Sequence, residues 1–167
     1  MNAHPGIRLS AILLALAGAV AIVVTVASRP AHAATSVATT VDLGKSALGR
    51  MLVTSRGRTL YLFEKDRNGR SSCTGTCATF WPPLLTTANP HAGTGVRASL
   101  LGTTRRPDGK LQVTYRRHPL YTFALDKRAG QTKGEGLKEF GGGWYAVSAA
   151  GTKIDDDTGG GGGYYGG

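Results

Sequence analysis

Two aspartates each close a Tyr-x-Phe-x-x-Asp stretch, one running Tyr61-Leu62-Phe63-Glu64-Lys65-Asp66 and the other Tyr121-Thr122-Phe123-Ala124-Leu125-Asp126. A carboxylate pair can divide general acid and base work if its side chains stand within about 5 to 9.5 Å of each other in one cleft, as in a hydrolase of glycosides. The same residues also suit a structural task. Asp66-Arg67-Asn68-Gly69 is a turn signature, with Asp placed to accept backbone N–H bonds and Gly at the fourth position. Cys73 and Cys77, the only cysteines, frame Cys-Thr-Gly-Thr-Cys. Thioredoxin-like redox pairs have two intervening residues, not three. A lone pair with no second Cys or His pair leaves a tetrahedral metal site incomplete. In an exported chain the simplest use is one local disulfide.

Tyr61, Tyr121, Trp81, Trp144 and Tyr145, with Phe63 and Phe123 beside them, are either core or an aromatic platform for a glycan or another flat ligand. Beyond the leader the histidines are His91 and His118, with no Cys-x-x-Cys-His for haem attachment. Gly-x-Ser-x-Gly is absent, and the glycine runs at 141–143 and 159–163 lack the strand, helix and Lys context of a nucleotide site. Asp155-Asp156-Asp157 does not have the spacing of a calcium loop. No cofactor or metal is expected.

The elements that must position these residues come as an internal repeat. At an offset of sixty, Gly49 aligns with Gly109, Met51 with Leu111, Val53 with Val113, Thr54 with Thr114 and Leu60-Tyr61 with Leu120-Tyr121. Each copy, about 49–85 and about 109–148, opens as a β-hairpin: 51–54 with 59–63, and 111–115 with 120–123. The first turn holds Gly57, whereas Arg116-Arg117-His118-Pro119 holds no glycine and predicts a longer loop. Leu60 and Leu62 alternate with Tyr61 and Phe63, so both strand faces are apolar and require cover. Residues 144–148 make a further strand candidate, and 36–41 an edge strand. Helix is limited to a turn or two at 75–80, stopped by Pro82-Pro83, and a turn at 97–101. The expected fold is all-β, two tandem hairpin repeats forming one small antiparallel sheet, sandwich or barrel-like domain.

Residues 1–33 read as an export signal: Arg8, an apolar run from Ala11 to Ala27, then Ala31-His32-Ala33 as a cleavage site. Cleavage after Ala33 is expected. An uncleaved membrane anchor is the alternative, since the run would span about 26 Å as helix. The junction has no Cys for an acyl-lipid anchor. Residues 34–47 form an N-terminal segment, 48–150 the two-repeat domain, and 151–167 a Gly/Asp/Tyr tail. The 167 residues include 25 Gly and carry a formal charge of +10; loss of Arg8 and Arg29 leaves 18 Lys+Arg against 10 Asp+Glu, or +8. This composition excludes collagen, coiled coil, a polytopic membrane protein and a many-bridged disulfide mini-protein.

The two Tyr-x-Phe-x-x-Asp stretches, Cys-Thr-Gly-Thr-Cys-Ala-Thr-Phe-Trp-Pro-Pro-Leu after the first, and Arg106-Pro107-Asp108-Gly109-Lys110-Leu111-Gln112 before and Phe140-Gly141-Gly142-Gly143-Trp144 after the second resemble the bacterial secreted-repeat family often labelled lipoprotein, with a Tyr-x-(Phe/Trp/Tyr)-x-x-Asp motif. The resemblance implies an exported envelope protein with tandem repeats and no established activity. Many members carry a lipid-anchoring Cys that this chain lacks, and Arg116-Arg117 stands where similar members often have Asn-Gly. For an exported protein, basic residues such as Arg56, Arg58, Arg116 and Arg117 point to an anionic wall polymer, a membrane surface or a glycan as partner, not nucleic acid. Those four arginines, at equivalent turns, are expected on one side of the domain. The favoured reading is a non-enzymatic envelope module; the alternatives are a redox or metal-handling protein and a hydrolase using Asp66 and Asp126.

Overall fold

The computed structural model describes Met1 and residues 37–154. The leader, its cleavage site and the tail beyond Ile154 lie outside the described residues. In chain order the elements are β1 (Thr40–Ser46), β2 (Gly49–Thr54), β3 (Tyr61–Phe63), α1 (Thr76–Phe80), β4 (Leu85–Thr86), β5 (His91–Ala92), a 3-10 turn at Ala98–Leu100, β6 (Leu101–Arg105), β7 (Leu111–Tyr115), β8 (His118–Pro119), β9 (Lys138–Glu139) and β10 (Gly142–Ala146). Among the described residues the chain is all-β apart from its short helical turns, which fall where the sequence expects them.

The strands form several small sheets in the orders β2-β1-β5, β3-β10-β9 and β4-β7-β6, with β8 also on β7; among the described residues no barrel closes. Two of these sheets mix the repeats: β3 of the first copy pairs with β10 of the second, and β4 pairs with β7. A bridge from Met51 to Ser148 ties the remaining sheet to the second copy. Strand pairing therefore crosses between the repeats in every layer.

Four local expectations change. The N-terminal strand is central, not an edge: β1 pairs with β2 from Val41↔Thr54 to Ser46↔Gly49 and takes β5 in parallel on its other side. The partner expected for β2, the 59–63 segment, keeps only the Val53↔Thr59 bridge and a bond from Leu60 N to Leu52 O. Arg116-Arg117 is a two-residue turn, since Tyr115 pairs directly with His118. Both arginines take positive φ, 46° and 67°, the geometry that usually recruits Asn-Gly. Finally, the fold continues past residue 150: Val147 bridges to Lys153, and Ile154 N donates to Ala146 O at 2.9 Å.

The alternation along 60–63 holds. Leu60 and Leu62 enter one core cluster with Val41, Leu52, Val113, Leu120 and Val147, while Tyr61 and Phe63 enter another with Trp81, Tyr121, Phe123 and Trp144. This strand, buried on both faces, is the wall between the two clusters.

Candidate functional site

The motif residues assemble around an approximate twofold relation. Tyr61 and Tyr121, equivalent positions of the two repeats, are antiparallel partners, with Tyr61 N donating to Tyr121 O at 2.8 Å and Tyr121 N returning a bond to Tyr61 O at 3.0 Å. Beyond each strand the chain turns in the same way: Asp66 N donates to Phe63 O, and Asp126 N to Phe123 O. That turn carries each carboxylate to the tyrosine of the opposite repeat. Tyr61 Oη donates to Asp126 Oδ2 at 2.6 Å, and Tyr121 Oη donates to Asp66 Oδ2 at 2.8 Å. The second oxygen of each aspartate closes its own loop, Asp66 Oδ1 accepting from Ser72 N at 2.7 Å and Asp126 Oδ1 from Lys133 N at 2.9 Å. The spacing Tyr-x-Phe-x-x-Asp is thus a reciprocal clasp: each copy supplies the phenol for the other's carboxylate.

The phenylalanines and tryptophans obey the same exchange. Phe63, Trp144, Trp81 and Phe123 form one continuous stack, with centroid separations of 4.0, 3.9 and 4.3 Å, in which each Phe lies on the Trp of the other repeat. Tyr61 meets Trp81 edge-on at 5.3 Å and Tyr121 meets Trp144 edge-on at 5.1 Å. All these rings are buried, so they do not form a platform open to a ligand. Glu139 satisfies both indoles, its Oε2 accepting from Trp81 Nε1 and its backbone O from Trp144 Nε1. Gly134 is required beside the stack: a Cβ there would stand 2.6 Å from the Trp81 ring.

The two clasps differ in access. Asp126 is 1% exposed, whereas Asp66 lines a cleft of about 530 Å³ with Glu64, Arg67, His118 and Lys153, and a smaller one of about 290 Å³ with Asn68, Arg117 and His118. The carboxylates belong to separate clasps at opposite ends of the Tyr61–Tyr121 pairing. Burial pushes Asp66 above the ordinary carboxylate range, against its bonds from Ser72 and Tyr121 and the nearby Arg106 charge. Burial, helped by Arg116, pushes His118 down, with Asp66 opposing. A larger groove, about 620 Å³ along Val37, Leu85 and Leu111, offers only Arg105 and Lys110 as titratable groups and lies away from the motif residues.

Sequence reasoning missed the buried polar network behind Tyr121. Arg106, 5% exposed, donates from Nη1 to Ser71 Oγ and Gln112 Oε1 and from Nη2 to Cys73 O; Gln112 Nε2 donates in turn to Leu120 O. Ser71 Oγ lies 2.7 Å from Tyr121 Oη and donates to it, because the phenol proton is committed to Asp66. The only sequence signal was Arg106-Pro107-Asp108-Gly109, a stretch that otherwise reads as an exposed turn. Arg56 and Arg58 are also not beside Arg116 and Arg117: the two turns lie at opposite ends of the tyrosine-centred strand pair, and half-buried Arg58 donates to Phe123 O.

Cys73 and Cys77 are joined in a disulfide, with Cα atoms 5.3 Å apart. Among the described residues no group of three or more His, Cys, Asp or Glu could hold a metal ion. The bridge closes a five-residue loop, so replacing both cysteines by Ser is expected to cost only about 2 kcal/mol in urea denaturation. A loss of all folded signal would contradict that local role.

Burial and the adjoining carboxylates raise both Tyr61 and Tyr121 above the ordinary value of 10.0. A raised acid contributes stability that is complete below its unfolded value and is lost as pH climbs through the folded one. The urea midpoint is therefore expected to fall above about pH 10. Tyr61→Phe with Tyr121→Phe, less stable at neutral pH, should show a shallower alkaline slope; an unchanged slope would contradict the phenol assignment.

A lipoprotein-family model described as a secreted repeat of unknown function matches the chain twice, over residues 43–85 and 102–148. No curated protein and no solved structure matches it.

Proposed function

Because this chain belongs to the family of secreted repeats of unknown function, we propose that it serves the cell envelope as a non-enzymatic binding module whose loop cations engage an anionic polymer. The motif carboxylates and phenols support this reading because they are spent on holding the repeats together. What faces solvent instead is basic: Arg56, Arg70, Arg116, Arg117, Lys127 and Arg128 are all exposed.

The observation that carries the reading is the Arg116-Arg117 turn. Two consecutive non-glycine residues at positive φ each cost about 1 kcal/mol or more relative to residues suited to that conformation. Arg116 is held in part by its stem against Gly151 and its bond from Nη1 to Ala150 O at 3.3 Å, whereas strain kept at exposed Arg117 is accounted for by a use for its guanidinium group. Replacing the pair by Asn-Gly (Arg116→Asn, Arg117→Gly) is expected to raise stability by about 1–2 kcal/mol while weakening retention on an anionic polymer at low salt. Equal retention of the two proteins would reduce the charge to a solubility device.

A further inference from the structure

The antiparallel pairing of Tyr61 with Tyr121 dictates where the basic loops lie. Chain entering Tyr61 runs beside chain leaving Tyr121, so the 55–58 turn abuts residues 127–130: Gly130 N donates to Gly57 O at 3.1 Å, and Arg58 Nη2 donates to Phe123 O at 2.8 Å. At the other end, chain entering Tyr121 runs beside chain leaving Tyr61. There the 116–117 turn abuts 67–70, with a Cβ on Gly69 falling 3.3 Å from Arg117 O. Each end therefore joins the hairpin tip of one repeat to the turn after the aspartate of the other.

Of the exposed cations, Arg56, Lys127 and Arg128 fall at one end and Arg70, Arg116 and Arg117 at the other, beside Arg67, whose guanidinium bonds the backbone oxygens of Glu64 and Asp66. Extended residues 59–63 and the turns beyond them separate the ends by roughly 20 Å at about 3.3 Å per residue. That is more than twice the Debye length of about 8 Å at physiological salt, so the two sets act separately. Arginine predominates, and its planar fork suits paired phosphate oxygens. A flat bilayer meets opposite ends one at a time, whereas separate polymer strands can occupy both.

We infer that the domain is bivalent: its two pseudo-equivalent basic ends each take one strand of a phosphate-bearing polymer, so that one molecule bridges two strands. This rests on the polymer-binding reading above and adds to it the number and placement of sites.

The test is a sandwich with long-chain inorganic polyphosphate as probe. The protein is captured on immobilised polymer, washed, and offered fluorescent polymer in solution. Wild type should capture the second polymer. The variants Arg56→Gln/Lys127→Gln/Arg128→Gln and Arg70→Gln/Arg116→Gln/Arg117→Gln alter exposed residues only and should keep the wild-type far-UV spectrum. Each should still be captured in the first step, reduced about twofold, while second-polymer capture falls about tenfold or more. Undiminished bridging by either variant, or complete loss of first-step capture in one of them alone, would overturn bivalency and leave polymer binding standing. Wild type that fails the first step altogether overturns the binding reading itself. Wild type captured by phosphatidylglycerol vesicles but not by polyphosphate overturns the choice of a polymer.

Discussion

Trp81→Ala is expected to cost about 3–5 kcal/mol, with about 0.5–1.5 kcal/mol more for each lost ring contact, as read from urea denaturation. Trp81 is fully buried at the middle of the four-ring stack, between Trp144 and Phe123, and also meets Tyr61 edge-on. Truncating it removes a ring whose neighbours come from both repeats. Gly134 offers no side chain to refill the space, since its Cα already lies against the indole. Against a typical total of about 5–15 kcal/mol, that loss leaves a marginal or unfolded domain. Phe80→Ala one residue away, 45% exposed, serves as the control and should cost less than about 1 kcal/mol. Comparable losses at the two positions would contradict the stack as the centre of the fold.

The repeat, the all-β class, the helical turn before Pro82 and the two-faced strand at 60–63 were legible in the sequence because each rests on local chemistry: apolar alternation, Gly and Pro punctuation, and self-similarity. Strand partners were not. The 51–54 segment is flanked on both sides by plausible strands, and periodicity does not say that β1 rather than 59–63 makes the long pairing. The Arg116-Arg117 turn defeated the glycine rule because the tight Tyr115–His118 register forces positive φ on whatever residues stand there. At the site, the sequence singled out the Tyr, Phe, Trp and Asp residues but not their use, because a motif repeated within one chain is silent about whether each copy bonds itself or its twin. Arg106 was invisible as a core residue, since burial of its guanidinium depends on Ser71 and Cys73 converging from a distant part of the chain onto it and nearby Gln112.

The reciprocal clasp makes a second large prediction. Asp126→Ala removes the acceptor of the buried Tyr61 hydroxyl and of Lys133 N, and is expected to cost about 2–4 kcal/mol. Tyr61→Phe alone should cost less, since it deletes a donor and leaves the ring in the core. Much of the two losses should be shared, because either change breaks the same bond.

The most direct measurement is a pair of double-mutant cycles in urea, combining Tyr61→Phe with Asp126→Ala and, separately, Tyr61→Phe with Asp66→Ala. Cross-repeat pairing predicts a coupling of about 1–3 kcal/mol between Tyr61 and Asp126, and additivity within about 0.5 kcal/mol between Tyr61 and the aspartate of its own motif. Coupling of Tyr61 to Asp66 with none to Asp126 would contradict the clasp and return each Tyr-x-Phe-x-x-Asp to a self-contained turn.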